Sequence, residues 1–111
     1  MSQHHDLVRG KTFRWTFDDG PTKGMTYEHT FGPDGVVRFH MVDGKDGGKP
    51  SESEAQYGAA TVSEDVCAVS YKGDQGFTLT TVLNFDDKRV VAFASNNEQW
   101  FEQQGTFEVV K

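Results

Sequence analysis

The sequence predicts an all-β chain folded as one small antiparallel up-and-down barrel of about eight or nine strands. Three observations lead there. Apolar and polar residues alternate with period two in several short runs, windows with helical spacing of apolar residues are nearly absent, and turn-forming clusters recur evenly along 111 residues. A meander of many short strands leaves open edges, and closing on itself removes them. One domain, residues 1–111, accounts for the chain, because 35% hydrophobic and 13% aromatic content at this length builds one compact core.

Residues 1–9 read as a flexible tail, and the adjacent His4 and His5, with no third ligand in the pattern, read as terminal polarity rather than a metal site. The first strand, 11–18, places Phe13, Trp15 and Phe17 on one face and Thr12, Arg14 and Thr16 on the other, so the rings point inward. Strands over 25–31 and 36–42 follow, joined by the turn sequence Gly32-Pro33-Asp34-Gly35. The stretch VDGKDGGKPSES, 42–53, is too polar and glycine-rich for a strand and is expected to be a mobile surface loop. Further strands are expected over 54–62, 66–72, 77–85, 89–95, 99–102 and 106–110. Among them Cys67, Val69 and Tyr71 share one face, as do Phe77, Leu79, Thr81, Leu83 and Phe85, which gives a greasy interior.

The third strand admits two registers. If Phe31 pairs with Val36, Tyr27 lies across from His40 and His29 across from Arg38, and a phenol, two imidazoles and a guanidinium converge where they can orient an anionic or hydroxylated guest. If the strand is shifted by one residue, Val37, Phe39 and Met41 fill the core while Arg38 and His40 face water.

A net charge of −6 with scattered Lys and Arg leaves no footprint for a phosphate backbone, so nucleic acid is not an expected partner. No apolar run approaches the roughly 20 residues of a membrane-spanning helix, and MSQHHDLVRG lacks the apolar centre of a secretory signal. No membrane partner and a cytoplasmic location are expected. The single Cys67, in an apolar alternating run, is expected to be buried and inert. Nucleophile elbow, phosphate-cradling loop and zinc-type cysteine pair are all missing, so neither a metal nor a cofactor is expected. Asp18-Asp19 and Asp86-Asp87 stand at turns, where Asp serves the local backbone.

The blocks FRWTFDDG, MTYEHTFGPDGVVRFHMVDG and SYKGDQGFTLTTVLNF resemble the small calycin-like, lipocalin-like barrels of the MoaF-like family and, more distantly, bacterial phenolic acid decarboxylases. The resemblance spans residues 10–100 and implies an antiparallel barrel with an internal apolar cavity, as a homodimer. The decarboxylases hold a substrate carboxylate with two tyrosines, at places taken here by Trp15 and Phe17; their loop arginine falls at Lys49, which lacks the planar fork, and their catalytic glutamate falls near Gly73, beside Asp74. Decarboxylation with protonation of carbon needs a positioned acid and a carboxylate anchor, so that activity is not expected. Tyr27 matches a Tyr-Glu pair that these barrels share.

The function expected from residues and resemblance together is small-molecule binding. An apolar or aromatic guest would rest against Trp15, Phe17, Tyr71 and Trp100, its polar end oriented by Tyr27, His29, Arg38 or His40. Two alternatives stand beside it. One is a lyase or isomerase with His29 or His40 as general base, Tyr27 as acid and Arg38 holding the anion. The other is a homodimeric interaction module using an aromatic patch at Trp100-Phe101, where adjacent strand residues must face opposite ways.

Overall fold

The computed structural model describes residues 7–20, 22–42, 53–73 and 76–110. Eight antiparallel strands follow one another in order and close into a barrel: β1 (Thr12–Phe17), β2 (Thr26–Phe31), β3 (Val36–Met41), β4 (Ser53–Ser63), β5 (Val66–Lys72), β6 (Thr78–Asn84), β7 (Arg89–Ser95) and β8 (Trp100–Val109). Each strand pairs with its sequence neighbours, and β1 pairs with β8 to close the cylinder. The runs expected at 99–102 and 106–110 are one strand, β8, in which Gly105 lies opposite Phe17 on one side and Val90 on the other. A Cβ at Gly105 would overlap the Thr16 carbonyl oxygen and stand 2.8 Å from Phe17 Cα, so glycine here is demanded by the closeness of β1, not by a break in the strand.

The two ends of the barrel differ. At the end carrying the β2–β3, β4–β5 and β6–β7 turns the interior is solid: Phe13 meets Phe31, Phe85 and Phe107 edge to face at 5.9, 5.8 and 6.0 Å, and Val37, Leu83 and Val90 are fully buried around them. Fully burying a phenylalanine such as Phe13 contributes roughly 2–3 kcal/mol. Residues 7–9, expected to belong to a flexible tail, instead cross this end. Val8 is fully buried in the core, Leu7 packs against the core, and Arg9 donates to the Pro33 carbonyl at 3.2 Å. The apolar pair Leu7-Val8 supplies the stopper that the surrounding polar residues concealed. His4, His5 and the loop expected over 42–53, save Val42 and Ser53 at its ends, lie outside the described residues.

The register of β3 is settled by its turn. Gly35, at φ 86°, donates to the Gly32 carbonyl, and Gly32 donates to Val36, so the loop is the three residues Pro33-Asp34-Gly35 and Gly32 faces Val36. Phe31 therefore pairs with Val37, His29 with Phe39 and Tyr27 with Met41. The pairing of Phe31 with Val36 is corrected by one residue, which turns Arg38 and His40 to the outer face. The lone Cys67 is buried, as expected.

Candidate ligand-binding site

Toward the opposite end, where the β1–β2, β5–β6 and β7–β8 connections leave, the rings stand around the wall and do not meet at the centre. Across from them the small Ala92 and Ala94 and the short Thr81 leave room, and a hollow of about 420 Å³ remains. Its walls are Trp15 and Phe17 from β1, Phe39 from β3, Phe77 and Leu79 at the start of β6, and Phe101 from β8. Alternation puts most of them there: Trp15, Phe17, Phe39, Leu79 and Phe101 stand at inward positions of their strands, and Phe77 lies just before β6.

Two polar stations interrupt this apolar lining. The deeper one is His29, 2% exposed, whose ring stacks on Trp15 at 3.9 Å and on Phe39 at 5.2 Å. Its Nε2 lies 2.5 Å from the Tyr71 hydroxyl. Burial, and secondarily the nearby His40, lower the His29 pKa to about 3, so the ring is neutral at pH 7. Burial, helped by Tyr27, raises Tyr71 and keeps it a phenol. Nδ1 of His29 is buried with no hydrogen-bond partner among the described residues, a cost of about 1–3 kcal/mol that the core accommodates.

The second station is Gln103 with Thr22. Gln103 is 6% exposed on the inner face of β8, and its Oε1 accepts from the Thr22 backbone N–H at 2.9 Å and from the Thr22 hydroxyl. Gly20, at φ 82°, brings the β1–β2 connection this close; a Cβ there would meet Gln103 Cγ at 2.7 Å. A backbone N–H can only donate, which fixes the amide orientation and makes Nε2 the open end. Beside it Tyr27, half-buried and raised in pKa by that burial, reaches the Met25 sulfur at 3.6 Å.

No Asp, Glu, Lys or Arg lines the hollow among the described residues. The structure thus brings together Trp15, Phe17, Tyr27, His29 and Tyr71 as expected neighbours of one cavity. It does not bring Arg38, His40 or Trp100 there. Arg38 faces outward beside Glu54, 3.2 Å away, and Asp34, 3.9 Å away; His40 stands opposite Glu28 on that same outer face; and Trp100 is 70% exposed, leaving the inward place to Phe101. Sequence reasoning missed Thr22 and Gln103 as lining residues and turned Phe39 inward only in the shifted register. The alternation Phe101, Gln103, Gly105, Phe107 would have revealed Gln103 had β8 been read through its glycine.

Among the described residues no group of three or more His, Cys, Asp or Glu is placed to hold a metal ion, and no helix is long and apolar enough to cross a membrane. A family model described as MoaF-like matches residues 9–108. Among curated proteins none matches. Among solved structures, a crystal structure of a protein from Burkholderia vietnamiensis, provisionally described as a beta-lactamase, is similar with a TM-score of 0.76 at 20% identity, over 98% of this chain and 100% of that one. At that identity the likeness bears on the fold alone.

Proposed function

The chain belongs to the MoaF-like family, and we propose that it is a small-molecule-binding barrel whose hollow holds an apolar or aromatic guest. The observation that carries this reading is the cavity of about 420 Å³ walled by Trp15, Phe17, Phe39, Phe77 and Phe101, where the polar side chains among the described residues are His29 with Tyr71, Thr81, Tyr27 and Thr22 with Gln103. A concave, ring-lined space with a few placed polar groups is the usual form of a small-molecule site. Trp15 lies in the wall and Trp100 outside, so emission from a Trp100→Phe variant reports the hollow alone. Titration of that variant with aromatic hydrocarbons, phenols and fatty acids is expected to give saturable quenching by at least one class. Absence of quenching by all of them, with no guest retained in native mass spectra of freshly purified protein, overturns the reading.

The lyase or isomerase reading needed Arg38 and His40 inside the barrel, and both stand on its outer face. His29 alone, with a pKa of about 3, is a weak base at pH 7. Contact between two copies is favoured by a specific feature: Trp100, 70% exposed, stands opposite Ser95 and diagonal to Phe93, itself 40% exposed, giving an apolar outer patch on β7 and β8. A homodimer through this patch leaves the hollow free.

A further inference from the structure

We propose that Gln103 is the specificity-determining residue of the hollow, selecting an uncharged guest that carries a hydrogen-bond acceptor such as a ketone, aldehyde, ester or amide carbonyl. This rests on the hollow being a binding site and names the class of molecule it takes. The carboxamide of Gln103 is buried, and both lone pairs of its oxygen are engaged by the N–H and hydroxyl of Thr22. Its Nε2 carries two N–H donors with no partner among the described residues, in a side chain that lines the hollow. The fully buried unpaired polar atoms among the described residues do not include Nε2, so it is open to the hollow. A guest that covers it without an acceptor strips its donors of water, while a guest acceptor replaces that water. A guest hydroxyl seeking an acceptor finds this oxygen already occupied.

The described lining also disfavours charge. A carboxylate brought to Gln103 meets no cation among the described lining residues, because Arg38 faces outward toward Glu54 and His29 is neutral. Burying an unpaired anion in such a place is unfavourable. The polar floor at His29–Tyr71 is already internally bonded through Nε2, which leaves the Gln103 amide as the station with the most open donors.

The test uses three probes on one two-ring skeleton, substituted at the same ring position: acetylnaphthalene, ethylnaphthalene and naphthoate. They match in size and differ in acceptor and charge. Calorimetric titration of the wild-type protein is expected to give acetylnaphthalene about fivefold tighter binding than ethylnaphthalene and at least about tenfold tighter binding than naphthoate. In Gln103→Met, whose thioether fills similar space and offers no donor, the advantage of the ketone over ethylnaphthalene is expected to vanish. Gln103→Leu serves the same comparison should Gln103→Met fold poorly. Equal binding of the ketone and the hydrocarbon by the wild type overturns the role of Gln103 while leaving the hollow a binding site. Naphthoate binding as tightly as the ketone overturns the selection for uncharged guests. Binding of none of the three overturns this inference, and if the broader panel of hydrocarbons, phenols and fatty acids fails as well, the reading of the hollow falls with it.

Discussion

His29 is a titratable ring held where it cannot take up its proton. Its folded pKa of about 3 lies below the unfolded value of 6.5, so between those values the unfolded chain binds a proton that the folded chain refuses. Stability that is full above pH 6.5 is therefore lost as pH falls toward 3, at up to about 1.4 kcal/mol per pH unit. Between pH 7 and pH 5 this amounts to about 2 kcal/mol. Urea unfolding at both pH values is expected to show that loss in the wild type and a markedly shallower one in His29→Phe, whose ring can stack on Trp15 and Phe39 without titrating. Equal slopes in the two proteins would show that His29 does not couple folding to protons. Period two in the first strand made the inward facing of Trp15 legible, whereas the second strand carries polar residues on both faces, so that of Tyr27 and His29 waited on the closed barrel. The partner of His29 was not legible either, because Tyr71 lies 42 residues on and meets it only across the closed barrel.

Among the strands, β1 and β8 depend most on a single absent side chain. Gly105→Ala places a methyl group against the Thr16 carbonyl and Phe17 Cα, and the closing seam must spread to admit it. A loss of about 3 kcal/mol is expected from denaturant midpoints. Gly58 in β4, with nothing within 4 Å of a built Cβ and an ordinary φ, is the control, and Gly58→Ala is expected to be neutral or to stabilise by about 0.5 kcal/mol. Comparable losses at both glycines would remove the steric account of the seam. The same glycine explains why two strands were expected where one exists: within a sequence, Gln103-Gln104-Gly105 has the composition of a turn, and only the approach of β1 shows what the missing Cβ is for. The β2–β3 connection misled for a related reason. Gly32 to Gly35 is visibly a turn, but whether Gly32 belongs to the loop or to the ladder depends on one hydrogen bond to Val36, and that bond decides which way Arg38 and His40 face.

Taken as a cylinder, the molecule is plugged at one end by rings and Val8 and hollow at the other, and its outer surface carries an apolar spot at Trp100 and Phe93. Gel filtration is expected to show the wild type as a dimer and Trp100→Asp as a monomer of unchanged fold, whereas Phe101→Asp, one residue along but facing inward, is expected to impair guest binding. An unchanged elution volume for Trp100→Asp would end the dimer proposal without touching the hollow. All-β class, strand order and closure were readable from alternation and turn spacing alone, since these depend on local chemistry. The contrast between the two ends was not, because it arises from which inward positions of distant strands come to share a layer. The seam has one more consequence. Val110 donates to the Thr12 carbonyl at 2.7 Å and Val109 lies beside Phe13, so the first and last strands begin and finish side by side at the stoppered rim. A bead, dye or fused carrier attached through the outer extremity of β8 therefore sits at the far pole from the cavity mouth.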